Sequence, residues 1–223
     1  DFGIDKQGTK LYGDYLTAGS IVIDEKTTIN GQVWPLNFSR TYSGTQTMRS
    51  AMVNSLNTCA VKIWLQVGKD YSVEMLKKFG ITTLVEEGDA NDLNASALAL
   101  GGMTKGTTTL EMASAFSTFP NNGVRYDTSS FTKVVDKQGN VILENKPKEH
   151  KVLDEGVAWI MADMLSSVVN SAAANYAQIS GVFVGGKTGT TDDAFDDWFN
   201  GFTPTYSASL WIGSDYGISL SED

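Results

Sequence analysis

Lys187, Thr188, Gly189 and Thr190 form the run best suited to chemistry in this chain. A short apolar run, Val182-Phe183-Val184, precedes them, and Trp198-Phe199 follows. That context predicts a strand whose edge carries an ammonium group, two hydroxyls and a position without a side chain. Such an edge suits a bound carboxylate. Lys187 supplies charge, Thr188 and Thr190 supply donors, and Gly189 lets a ligand lie close to the backbone. A second polar set, Ser55-Leu56-Asn57, lies about 130 residues upstream. Taken singly, each set has an ordinary explanation. Serine and asparagine often cap helices, and a strand-end lysine is usually a solvated edge charge.

These residues need elements to hold them. The spacing predicts helices over 47–53 and 58–67. Met48, Ala51 and Met52 make one apolar face; Ala60, Val61, Trp64 and Leu65 make the other, and Gly68 ends the second helix. Ser55-Leu56-Asn57 falls at the joint, where side chains can point into a cleft rather than a core. A short helix over 71–79 is closed by Gly80. Another covers 109–119, with Thr109 as N-cap and Leu110, Ala113 and Phe116 inward. A hairpin covers 131–144. Asp154 caps a long helix with Val157, Ile160, Met161, Met164, Leu165 and Val168 on one stripe. Strands over 182–188, 197–203 and 207–213 follow, with Pro204 turning the last pair. Helices followed by an antiparallel meander predict an α+β fold, with helices packed against one sheet.

Composition narrows the function. A chain of 223 residues can bury a sizeable core as one domain. A net charge of −9 without a basic cluster disfavours nucleic acid as a partner. The apolar runs fall short of the ~20 residues of a membrane helix. One histidine, His150 in a Lys-rich loop, and one cysteine, Cys59, cannot build a metal site, and Cys59 reads as a buried structural thiol. Asp192, Asp193, Asp196 and Asp197 read as a solvated acidic loop, since their spacing does not match a calcium loop. Gly101-Gly102 and Gly185-Gly186 lack phosphate-loop spacing, so no nucleotide cofactor is expected. Trp198 and Phe199 read as strand core, and the loop around Lys105 carries no assignment.

The order Ser-x-Asn then Lys-Thr-Gly resembles the penicillin-binding proteins and serine β-lactamases. Those enzymes carry Ser-x-x-Lys, Ser-x-Asn and Lys-Thr-Gly in that order. Flanking blocks are similar to the transpeptidase domain of a class A penicillin-binding protein. They are Trp34-Pro35-Leu36-Asn37-Phe38, Gly44 and Met48-Arg49-Ser50-Ala51-Met52, then Leu110-Glu111-Met112-Ala113, Asn121-Asn122-Gly123-Val124 and Asp197-Trp198-Phe199-Asn200-Gly201-Phe202-Thr203-Pro204. The resemblance runs from about Asp24 to Asp215. It implies that residues 1–223 are the C-terminal part of such a domain, a helical subdomain packed on an antiparallel sheet. It also implies acyl transfer from peptidoglycan stem peptides ending in D-Ala-D-Ala to an amine, with β-lactam antibiotics as competing partners. Ser55 would relay a proton to the leaving nitrogen, and Asn57 would hold the substrate amide. Lys187 would face Ser55 across a cleft. Thr188, Gly189 and Thr190 would bind the substrate, and the Thr190 N–H would be one oxyanion donor. No metal or cofactor is implied. The implied location is the outer side of a bacterial cytoplasmic membrane, with the anchor and a glycosyltransferase domain outside this chain. A D,D-carboxypeptidase or β-lactamase of the same fold remains open, as does a non-catalytic peptidoglycan-binding module.

The nucleophile's motif departs from the pattern. Upstream of Ser55 no serine has a lysine three residues on. The one formal match, Ser130-Phe131-Thr132-Lys133, comes after Ser55 and leads into the expected hairpin. On a strand, residues i and i+3 point to opposite faces, whereas a nucleophile and its base must share one. The expectation is a fragment whose nucleophile lies on a missing N-terminal segment of the same protein, so that this chain by itself is inactive.

Overall fold

The computed structural model describes residues 16–29, 31–172 and 174–220. Strand β1 (Ile21–Asp24) pairs antiparallel with β4 (Gly44–Thr47), and a small ribbon of β2 (Thr28–Ile29) and β3 (Gln32–Val33) lies between them in sequence. β1 alternates, burying Val22 and Asp24 and exposing Ile21 and Ile23. Helix α1 (Met48–Val53) starts directly from β4. Thr47 caps it, its hydroxyl accepting from the Ser50 N–H at 3.1 Å. Helix α2 (Asn57–Val67) follows after three residues, and Gly68, at φ 87°, ends it and opens α3 (Lys69–Lys78). Val22, Ala51, Leu56 and Cys59 are buried together, with Met48 packed on them. Cys59 is therefore a core thiol, and burial pushes it above its ordinary range.

Helix α4 (Ala95–Leu100) and α5 (Thr109–Ser117) come next. The N-cap of α5 is Thr108, one residue before the expected Thr109. Glu111 stands three residues after Thr108 and returns to its backbone, completing a reciprocal capping box that Thr109 could not make. Leu110, expected inward, is 61% exposed. The inward face of α5 is set by Phe116, and a residue six positions earlier lies about 240° round the helix. The loop before α5, unassigned from sequence, is stapled to buried Asp92, which accepts from the Thr104 N–H at 2.6 Å and its hydroxyl at 2.7 Å. β5 (Val124–Tyr126) pairs with β8 (Glu149–Lys151), and β6 (Lys133–Val135) with β7 (Val141–Glu144) as the expected hairpin. His150 thus sits on a strand, not in a loop, with Nε2 2.7 Å from Asp127 Oδ1.

Helix α6 (Glu155–Val169) buries Met164, Leu165 and Val168 as expected, and Ala158, Ala162 and Val169 with them; Val157, Ile160 and Met161 are half-buried. Asp154 holds the N-cap position without a side-chain cap bond. Strands β9 (Gly185–Thr190), β10 (Asp196–Phe202) and β11 (Ser207–Gly213) form one antiparallel sheet in the order β11-β10-β9. The turn at Pro204 is closed by the Thr203 N–H on the Tyr206 carbonyl at 2.8 Å. β9 begins at Gly185, not at the expected 182, and Val182 and Phe183 stay exposed. Glycine is what lets the strand dock there: a Cβ on Gly185 would stand 2.4 Å from the Phe202 ring, and one on Gly186 2.7 Å from that of Phe199. Phe202 joins Ala162 and Leu165 in a core that Met52, Phe116 and Phe119 complete, so α1, α5, α6 and the sheet share it. Among the described residues no helix is long and apolar enough to cross a membrane.

Candidate active site

Ser55 owes its position to the way α1 stops. The Leu56 N–H returns to the Ala51 carbonyl at 3.0 Å, and the Ser55 N–H to the Met52 carbonyl at 3.1 Å. This is a Schellman closure, and the buried pair Ala51 and Leu56 supplies the apolar contact that accompanies it. In that closure the residue at Ser55 takes a left-handed conformation, here φ 51°, where glycine is usual. A serine there has its hydroxyl off both helices and exposed.

Lys187 comes from β9, one of the two edge strands of the sheet among the described residues. Its Nζ donates to Ser55 Oγ at 2.9 Å and to the Thr188 carbonyl at 2.8 Å. Burial pushes the Lys187 ammonium below its ordinary range. An ammonium can only donate, so the Ser55 oxygen accepts this bond and keeps its own hydrogen for another partner. The pair therefore provides a hydroxyl polarised by a half-buried cation whose neutral form lies closer in energy than in water.

Asn57, the first residue of α2, goes elsewhere: its Nδ2 donates to the Leu36 carbonyl at 2.9 Å. Among the described residues it makes no hydrogen bond to Ser55 or Lys187. Thr188 is half-buried, opposite Phe199 in the sheet, while Gly189 and Thr190 are exposed. Nothing in the fold demands glycine at 189, where a Cβ would meet only Trp198 Cβ at 3.7 Å. Ser130 lies in an exposed bend before β6 and Lys133 opens that strand, paired to Glu144. Of the expected acidic loop only Asp192 and Asp193 are exposed loop residues; Asp196 and Asp197 are half-buried on β10, where Asp196 accepts from Trp211 Nε1 at 2.9 Å and Asp197 stands opposite Thr190. Trp198 and Phe199 are half-buried, Trp198 against Trp211 and Phe199 against Tyr176.

Two supporting networks escaped the sequence reading. Buried Asp24 accepts from Asn37 Nδ2 at 2.7 Å, from the Ser43 N–H at 2.7 Å and from the Thr58 hydroxyl. Asn37 in turn accepts from the Thr58 N–H at 3.4 Å. Burial would raise the Asp24 carboxyl, but the bonds from Thr58, Asn37 and Ser43 outweigh it and hold the group below its ordinary range. The alternation of β1 was the available signal, since it puts Asp24 on the same face as the apolar Val22. Where α1 packs on α6, Arg49 pairs with Asp163 and donates to Ser167 Oγ at 2.6 Å. α6 packs on β9, so this bridge links the helix before Ser55 to the strand of Lys187.

Residues 16–214 match the family model of the penicillin-binding protein transpeptidase domain. The chain is 37% identical over 202 residues to penicillin-binding protein 1A of Clostridium novyi, covering 89% of this chain and 23% of that one. It is 40% identical over 182 residues to penicillin-binding protein 1A of Clostridium botulinum, covering 81% and 22%. The chain thus spans about a quarter of the length of these curated relatives. The structure of the PonA1 protein from Mycobacterium tuberculosis in complex with penicillin V superimposes with a TM-score of 0.77, at 23% identity, over 91% of this chain and 56% of that one.

Proposed function

The chain belongs to the penicillin-binding protein transpeptidase family, and from that premise we propose that it carries the relay and clamp of a serine D,D-transpeptidase site. The observation that carries this reading is the 2.9 Å contact between Lys187 Nζ and Ser55 Oγ. The donor substrate is a peptidoglycan stem peptide ending in D-Ala-D-Ala. A serine outside residues 1–223 attacks the penultimate carbonyl and gives its proton to a base beside it, also outside these residues. The carbonyl carbon gains a bond to that serine oxygen and loses its bond to nitrogen. Ser55 passes its hydrogen to the departing nitrogen and regains one from that base, while Lys187 stabilises its oxygen during the transfer. An amine of a neighbouring strand then takes the acyl group from the ester.

Thr188 and Thr190 bind the terminal carboxylate with Lys187, and the Thr190 N–H serves as an oxyanion donor. Gly189 leaves the strand edge open for the substrate backbone, a use supported by the absence of any fold requirement for glycine there. Asn57 holds the substrate amide, which requires it to share or exchange its bond to Leu36. A β-lactam presents a carboxylate and a strained amide to the same groups and leaves a stable ester. Because the nucleophile lies outside residues 1–223, this stretch alone is inactive. The work takes place on the outer side of the cytoplasmic membrane.

Fluorescent-penicillin labelling of the intact parent polypeptide tests the reading. Covalent label that cold penicillin competes away is expected; a parent that takes up no label would overturn the assignment.

A further inference from the structure

We propose that Asp24 is a positioning residue for the Ser55-Leu56-Asn57 corner, acting through Asn37 and Thr58 on the geometry of the acylation site. The proposal rests on the functional reading above and goes beyond it, because Asp24 touches neither Ser55 nor Lys187.

Asp24 is 1% exposed, and its hydrogen-bond donors are uncharged groups from three separate segments. The neighbouring cation, Lys62, instead donates to the Ile23 carbonyl at 2.8 Å and to Glu25 at 2.7 Å. A carboxylate buried without a cation is an expensive way to hold a hairpin, and an apolar side chain would do that at lower cost. What the carboxylate adds is direction. Asn37 belongs to the loop whose Leu36 carbonyl holds the Asn57 amide. Ser43 immediately precedes β4, which runs without a break into α1 and so to Ser55. Thr58 lies in the first turn of α2, one residue after Asn57. One carboxylate therefore fixes both strands of chain that meet at Ser55 and the loop that aims Asn57. All three partners donate, so an amide at position 24 would turn an N–H₂ group toward other donors. The corner would keep its helices and lose its register against Lys187. Misplacement of a reacting group by about 1 Å costs on the order of 100-fold in rate.

The experiment is a stopped-flow measurement of β-lactam acylation of the intact parent polypeptide. It compares wild type, Asp24→Asn, Thr58→Val and Thr58→Ser. Two quantities are read: the fraction of molecules finally labelled and the second-order rate of that fraction. We expect Asp24→Asn and Thr58→Val to slow acylation about 10- to 100-fold with the labelled fraction intact. Thr58→Ser, which restores the donor, should recover most of the rate. A purely structural role would lower the labelled fraction and leave the rate of the folded remainder unchanged, and that result overturns the proposal. Wild-type rates in Asp24→Asn and Thr58→Val overturn it too. Should Asp24→Asn not fold, the contrast between Thr58→Val and Thr58→Ser decides. A wild-type parent that is not acylated at all would instead sink the functional reading on which the proposal stands.

Discussion

Lys187 Nζ stands 2.9 Å from Ser55 Oγ although 132 residues separate them in sequence. Neither element reaches the other alone. Ser55 is turned outward by the left-handed closure of α1, and Lys187 extends from the edge strand β9. The shared core around Ala162, Leu165 and Phe202, which Met52 of α1 touches, brings helix and sheet together. The Arg49 bridge to Asp163 and Ser167 fixes the two sides a second time at the rim.

The left-handed conformation of Ser55 sets stability against function. A side chain in that conformation costs on the order of 1 kcal/mol, and glycine relieves it. Ser55→Gly should therefore unfold no more easily than wild type in urea, with a gain of up to about 1 kcal/mol. The same change should slow acylation of the parent at least about 100-fold, since the relay hydroxyl is gone. Ser55→Ala keeps the backbone cost and loses the hydroxyl, so it should match Ser55→Gly in rate without the stability gain. Ser55→Gly labelling at the wild-type rate would remove Ser55 from the mechanism.

Lys187→Ala should slow acylation of the parent about 100-fold or more while leaving the melting temperature nearly unchanged. The motive is a cation that burial disfavours, held next to the relay. The pH dependence has a definite sign. With its folded value lowered, Lys187 binds fewer protons folded than unfolded between that value and the ordinary 10.5. Its contribution to stability therefore rises with pH across that window. Lys187→Met should lose this rise, measured as the difference in unfolding midpoint along an alkaline series. An unchanged alkaline slope would mean that burial does not strain the ammonium.

Much of this architecture is legible in the sequence because it is local. The corner at 55–57 follows from two apolar stripes that stop and restart. The meander follows from three apolar runs and Pro204, and the hairpin at 131–144 from its central Gly139. What escaped is what distant contacts decide. Leu110 and Phe116 lie on different faces of α5, and only the ring cluster of Phe116, Phe119 and Phe202 shows which of the two turns inward. β9 starts at Gly185 because rings from β10 lie over it, a fact carried by residues beyond the run itself. The bond from the Asn57 amide to the Leu36 carbonyl, 21 residues earlier, is likewise a distant contact that no local pattern reports. The Asp24, Asn37 and Thr58 cluster spans 34 residues, and no periodicity reports a buried polar contact over that distance.

That cluster also sets an acid limit. The folded Asp24 carboxyl lies below its ordinary 3.8, because its three hydrogen-bond donors outweigh the opposing effect of burial. Its contribution to stability is present above the unfolded value and is lost as pH falls through the folded one. Asp24→Asn should be less stable at neutral pH and show a flatter acid limb below about pH 4. Urea midpoints at several acid pH values check this. A variant with the wild-type acid slope would place the acid sensitivity on other carboxylates.

The isolated chain of residues 1–223 should form no covalent penicillin adduct. Acylation requires a serine with a base on the same face. Ser130 lies in an exposed bend before β6, Lys133 opens that strand, and among the described residues no hydrogen bond joins the two as nucleophile and base. Ser55 has Lys187 at 2.9 Å, which makes it the more serious candidate. Thr58, not lysine, stands one helical turn on from Ser55, and its hydroxyl is committed to Asp24. The Lys187 bond uses the Ser55 oxygen as acceptor, which stabilises a relay oxygen but leaves no second base to take its proton during attack. Intact-mass spectrometry after incubation with benzylpenicillin should show the unmodified mass. Adding the segment that carries the nucleophile, in the same chain or as a separate piece, should produce an adduct on a serine outside this numbering. An adduct on the isolated chain that maps to Ser55 would make the proposed relay the nucleophile, and one at Ser130 would show that the hairpin rearranges to build a site.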